Sequence, residues 1–187
     1  MNKAILIIDC QYDFINGTLP VPNAEPIMNE LANYLKDNKN TYQAKMFTLD
    51  WHPDDHCSFT ENGGKWPKHC VRYSQGAAIY QKLLDTAHST NGECYFLQKG
   101  RTPNKEEYSV FDSEISKGII RIIMMQHNID ELDICGLAGD VCVTETIKGA
   151  VKEFGTDKIK VLTKFSPSID DGSTLTKTIK DLSLKTD

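Results

Sequence analysis

The run Ala4-Ile-Leu-Ile-Ile8 is aliphatic at every position and stops at a carboxylate, Asp9. A strand without apolar/polar alternation must bury both of its faces. A parallel sheet covered by helices on each side provides that environment, whereas a half-solvated antiparallel sheet does not. Parallel neighbours need long crossovers, so the rest of the chain has to alternate strand and helix.

It does so. Ile27, Met28, Leu31 and Leu35 have helical spacing, and Lys45–Leu49 is a second strand, again ending in a carboxylate, Asp50. A helix is predicted over 76–87, a third strand over 93–98 followed by Lys99-Gly100, and a helix over 115–127 rich in Ile and Met. A polar loop with Tyr108 and Phe111 occupies 102–111. Near the end come a strand over 157–163 and a helix over 175–182. The prediction is an α/β chain, a parallel sheet of five or six strands with helices on both faces.

Between the last two strands lies Leu132-Asp-Ile-Cys-Gly-Leu-Ala-Gly-Asp-Val-Cys142-Val-Thr-Glu-Thr-Ile147. Ile134 and Leu137 read as a buried strand, Gly139 and Asp140 break it, and helical spacing starts at Val141. Cys142 is therefore expected in the first turn of a helix, where unpaired N–H groups favour an anion, lower a thiol pKa and can hold an oxyanion. A small cysteine at such a place also serves as plain packing under the helix. Its company favours chemistry: Asp9, Asp50, Lys99 and the Cys142 loop all follow strands, and strand carboxyl ends share the edge of a parallel sheet where ligands bind.

Asp50-Trp-His-Pro-Asp-Asp-His56 holds a second pattern. Asp50 and His52, two apart on extended chain, share a face. Pro53 suits the start of a helical turn that brings His56 over His52. His69 follows in Trp66-Pro-Lys-His-Cys70. Asp50, His52, His56 and His69 form a mixed nitrogen and oxygen donor set suited to one divalent transition metal, with zinc foremost and iron or manganese as the other candidates.

At 187 residues the chain is read as a single domain spanning 1–187. Its net charge of −5 argues against nucleic acid or an anionic membrane as partner, and no apolar run approaches a membrane span. Met1-Asn-Lys leads straight into the first strand, too short for an export signal. The six cysteines show no paired spacing, so reduced thiols and a cytoplasmic location are expected. A homo-oligomer is left open.

The motifs Ile8-Asp-Cys-Gln-Tyr-Asp-Phe14, Asp50-Trp-His-Pro-Asp-Asp-His56, Trp66-Pro-Lys-His-Cys-Val71, Lys99-Gly100 and Gly136-Leu-Ala-Gly-Asp-Val-Cys-Val143 occur in order. Together they resemble the isochorismatase-like cysteine hydrolases, and within them the nicotinamidases. The resemblance implies a three-layer α/β/α sandwich with a mainly parallel sheet. It also implies an amidohydrolase that converts nicotinamide to nicotinate and ammonia through a cysteine thioester, as in NAD salvage, with pyrazinamide as a second substrate. On it, Cys142 is the nucleophile, Asp9 the general acid/base and Lys99 the cation holding both. Asp50, His52, His56 and His69 are the metal ligands. Phe14 and Trp66 sandwich the ring, Tyr108 lies beside it, and a cis Leu137–Ala138 peptide supplies an oxyanion-binding N–H. Two places depart from the pattern: Gly139 stands where a threonine is usual, and the segment after Phe165 matches poorly. Three alternatives stay open from the residues: action on another small amide or ureido compound, a hydrolase in which metal-activated water attacks, and a non-catalytic metal-binding protein. The last gives no reason for Asp9 and Lys99.

Overall fold

The computed structural model describes residues 1–187. Six strands form one sheet: β1 (Lys3–Ile8), β2 (Tyr42–Asp50), β3 (Glu93–Lys99), β4 (Glu131–Gly136), β5 (Ile159–Val161) and β6 (Lys185–Thr186). Their order is β3-β2-β1-β4-β5-β6 and every pairing is parallel. The helices are α1 (Tyr12–Ile15), α2 (Ala24–Asp37), α3 (Gln81–Ser89), α4 (Glu114–Gln126), α5 (Thr144–Phe154) and α6 (Ser173–Asp181).

Strand β1 shows why its sequence has no polar alternation. Ile5 and Ile7 pack with Met28, Leu31 and Leu35 of α2 and Leu83 of α3. Ala4, Leu6 and Ile8 face the other way, toward Ile120 and Ile123 of α4, Ile147 of α5 and Leu175 of α6. All five are fully buried, each isoleucine or leucine contributing roughly 1.5–3 kcal/mol. The sheet is thus covered on both faces, as expected.

The strand order reverses at β1, which has β2 on one side and β4 on the other. The crevice of such a sheet opens beyond the carboxyl ends of those central strands. Asp9 follows β1 there, and the segment leading to Cys142 follows β4. On β2 and β3, Asp50 and Lys99 are direct register partners, so their side chains project side by side.

Some expected elements differ. The helix predicted over 76–87 begins only at Gln81. Ile79 instead bridges Gln11, Tyr80 N–H donates to Cys10 O, and a side chain at Gly76 would strike the Asp13 carboxylate. Residues after Pro53 make a single turn, closed by His56 N–H on Pro53 O at 3.2 Å, with no helix. The strand predicted over 157–163 keeps three residues between two 3₁₀ turns, and β6 had no periodic signal in its two residues. No helix is long and apolar enough to cross a membrane.

Candidate active site

Lys99 is completely buried, and its ammonium is the hub of the crevice. Nζ lies 2.5 Å from Asp50 Oδ1, 2.9 Å from Asp9 Oδ2 and 3.6 Å from Cys142 Sγ. Burial works against a charged lysine, but Asp50 and Asp9 outweigh it and push the ammonium pKa well above its ordinary value. Thr48 Oγ1 donates to Asp9 Oδ1 at 2.6 Å, while Asp9 Oδ2 accepts no well-aligned hydrogen bond. Burial, the largest influence, raises the Asp9 pKa, Lys99 pulls it down, and the net shift is upward.

Cys142 lies in a π-helical turn, Gly139–Val143, that leads into α5. The expected position at a strand-to-helix junction holds, but the expected lowering of its pKa does not. Burial is the main cause, and with Asp9 and Asp50 nearby it outweighs Lys99 and pushes the thiol well above its usual value. Asp9, Asp50 and Cys142 present their polar atoms within 4.8 Å of one another. Both upward shifts, at Asp9 and at Cys142, favour keeping a proton on that pair. The Leu137–Ala138 bond is cis, and the Ala138 N–H, two residues past the end of β4, donates to no protein acceptor.

The second cluster adjoins the first through Asp50. Its Oδ2 lies 3.6 Å from His52 Nε2 and 3.9 Å from His69 Nε2. His52 Nδ1 faces Gly100 O at 2.9 Å and His69 Nδ1 faces Pro67 O at 2.7 Å. A carbonyl can only accept, so both Nδ1 atoms carry the proton and Nε2 is the ring atom of each that faces the shared site. Burial lowers the His52 pKa, but Asp50 and the Gly100 carbonyl outweigh it and the net shift is upward. Lys99 and the histidines hold Asp50 ionised, below the ordinary carboxylate range against the opposing effect of burial. Burial, the main effect, keeps the His69 pKa low and the ring neutral, as a ligand must be. Asp50, His52 and His69 fit a divalent transition metal.

His56, the fourth expected donor, is not gathered into that set. Its ring does stack on His52, with centroids 4.0 Å apart. Its nitrogens are engaged elsewhere, however: Ser58 N–H donates to Nδ1 at 3.2 Å, and Nε2 donates to Lys105 O at 3.1 Å. No lone pair is left for the site.

A cavity of about 390 Å³, counted to its mouth, opens above Cys142. Phe14, Trp66, Tyr108 and Ala138 line it, together with Asp50 and His69. Trp66 Nε1 donates to the Tyr108 hydroxyl at 3.1 Å, and the Phe14 ring centroid is 5.4 Å from that of His69. Leu137 does not line the cavity; its side chain is fully buried in the α2-side core. The sequence reading missed Leu19, Val21, Ser58, Glu106, Val141 and Ile169, which complete the lining. They are scattered and share no periodicity.

Supporting residues also emerge. Gln11 donates to Asp50 O and accepts from Asp50 N, both at 2.8 Å, which fixes the Asp50 backbone. Gly100 has φ +65°, and any side chain there would strike the His52 ring. Its N–H donates to Glu107 Oε2 at 2.8 Å.

The sequence profile of the isochorismatase domain matches residues 3–155. A nicotinamidase/pyrazinamidase from Mycobacterium tuberculosis is 32% identical over 155 residues, covering 80% of this chain and 79% of the relative. A pyrazinamidase of Pyrococcus horikoshii, solved in complex with zinc, superposes with a TM-score of 0.83 at 26% identity, covering 100% of this chain and 99% of the other. PnC1 from L. infantum, solved with nicotinate, gives 0.84 at 28% identity, covering 99% and 91%. The profile match begins on β1 and runs past the end of α5, taking in Asp9, Asp50, Lys99 and Cys142, and the chain belongs to the isochorismatase family.

Proposed function

We propose that the chain is an amidohydrolase that converts nicotinamide to nicotinate and ammonia, with pyrazinamide as a second substrate. One observation carries this most directly: Asp9, Lys99 and Cys142 converge at an aromatic-lined cavity whose wall also holds Asp50 and His69. The similarity to a nicotinamidase/pyrazinamidase, a zinc-containing pyrazinamidase and a nicotinate-bound protein supports the substrate class. One sheet running from Lys3 to Thr186 supports reading 1–187 as a single domain.

The residues then take these roles. The flat ring lies between Phe14 and Trp66, and Tyr108 holds the indole in place. Asp50, His52 and His69 would hold a divalent ion, zinc foremost, whose chemistry is to offer a positive site for the ring nitrogen lone pair. With the amide seated, the Cys142 thiol gives its proton to Asp9 and its sulfur bonds to the carbonyl carbon. Lys99 stabilises whichever of Asp9 and Cys142 carries the negative charge at each stage. The carbonyl electron pair moves to oxygen, where the N–H groups of Ala138 and Cys142 receive it. Collapse breaks the C–N bond, and Asp9 returns its proton to the departing ammonia. Water then adds to the thioester as Asp9 takes one of its protons. Nicotinate leaves and the thiol is restored.

Ammonia release from nicotinamide tests the assignment, with wild type and Cys142→Ala run in parallel and quenched samples weighed by mass spectrometry. The expected result is turnover with a nicotinoyl adduct on Cys142 in wild type and none in the variant. Substantial turnover by Cys142→Ala would overturn the nucleophile.

A further inference from the structure

The cavity has one wall that the chemistry above does not use. Residues 166–170 lie between a 3₁₀ turn, Thr163–Phe165, and α6, outside any helix or strand, yet they are tied to the Cys142 loop. Gly139 N–H donates to Pro167 O at 2.8 Å. The Asp140 carboxylate receives two successive amides, Ile169 N–H on Oδ1 at 2.8 Å and Asp170 N–H on Oδ2 at 3.0 Å. At its far end, Asp170 Oδ1 accepts Gly172 N–H at 2.7 Å and so joins the segment to the start of α6.

The approach is close because residue 139 has no side chain. A Cβ there would lie 2.5 Å from both Ser166 O and Ser168 Oγ. The two departures from the family pattern noted in the sequence are thus one structural feature, since the glycine admits the segment that follows Phe165.

This segment delivers Ile169 to the cavity beside Ala138, Val141 and Cys142. Ile169 remains 43% exposed and belongs to neither core cluster, so packing does not account for it. Its anchor, Asp140, is two residues from the nucleophile, so the wall is registered to Sγ through the same short loop.

Resting on the amidase assignment above, we propose that Ile169 is a specificity-determining residue and Asp140 the positioning residue that holds it. Together they restrict the site to small, flat, single-ring aromatic amides. Removing methylenes from an apolar pocket wall changes discrimination by about tenfold or more.

The test compares nicotinamide with quinoline-3-carboxamide, which carries one fused ring more. Ile169→Ala should raise the ratio of kcat/KM for the larger amide to that for nicotinamide by about tenfold or more. Asp140→Ala should move that ratio the same way, and Asp140→Asn, which keeps one acceptor oxygen, should fall between it and wild type. An unchanged ratio in Ile169→Ala, with nicotinamide still hydrolysed, would overturn the proposal. Equal losses on both amides in Asp140→Ala would remove the positioning role.

Calorimetry in a Cys142→Ala background reads the same comparison without turnover. Wild type that releases no ammonia from nicotinamide would sink the amidase assignment while the binding ratio still reports on Ile169. A ratio of dissociation constants that Ile169→Ala does not change would overturn the specificity role on its own. Failure of both amides to bind either variant would overturn both.

Discussion

Asp50 and Lys99 are register partners on adjacent strands, and their side chains weld two clusters into one site. Lys99 Nζ donates to Asp50 Oδ1 at 2.5 Å, while Asp50 Oδ2 faces the Nε2 atoms of His52 and His69. A single carboxylate therefore answers both to the catalytic cation and to the metal donors. Changes at either cluster should be felt at the other.

Lys99→Met should cost about 3–5 kcal/mol, because it leaves Asp9 and Asp50 buried without their cation. Urea unfolding of wild type and variant measures this. Destabilisation below about 1 kcal/mol would mean that the carboxylates find other partners, or take up protons, at little cost.

Metal content should separate the histidines. Wild type is expected to hold about one transition metal ion per chain, as one donor set implies, and His52→Ala to lose most of it on dialysis. His56→Ala should keep it, because the His56 nitrogens are engaged by Ser58 and Lys105. Elemental analysis of the dialysed proteins decides, and loss of metal in His56→Ala would restore that residue to the ligand set.

Asp133 should give stability a pH dependence remote from the site. It is buried with Tyr42 Oη donating to Oδ2 at 2.7 Å and with Oδ1 unpartnered. Burial, opposed by the Tyr42 hydrogen bond, raises its pKa above the unfolded value near 3.8. The folded chain then binds the extra proton, so this residue's contribution declines as pH rises from about 4 through the folded pKa. In urea unfolding at a series of pH values, Asp133→Asn should gain on wild type over that interval. A parallel pair of curves would exclude Asp133 as the cause.

Gly139→Thr, which installs the residue usual in the family pattern, should destabilise by roughly 1–3 kcal/mol, the typical cost of overpacking. The new Cβ meets a backbone oxygen, Ser166 O, as well as Ser168 Oγ. Thermal unfolding should show a lower Tm. An unchanged Tm would mean that residues 166–168 yield without cost.

The sequence by itself determined which residues end the strands. An aliphatic run such as Ala4–Ile8 can satisfy both its faces only inside a covered parallel sheet, and that places Asp9 at the carboxyl edge. The two-residue spacing of Asp50 and His52 and the four-residue spacing of His52 and His56 are local geometry, and they recur as a shared face and a ring stack. Tertiary structure alone decided what those residues touch. Strand order brought β4 against β1, and with it Cys142 to Lys99. The Lys105 carbonyl, which draws His56 away from the donor set, is a backbone group that every residue type carries, so no sequence signal marks it. The thiol pKa likewise depends on burial and on two carboxylates from other strand ends. Periodicity records which way a side chain points, whereas desolvation and hydrogen-bond competition depend on neighbours that only folding supplies.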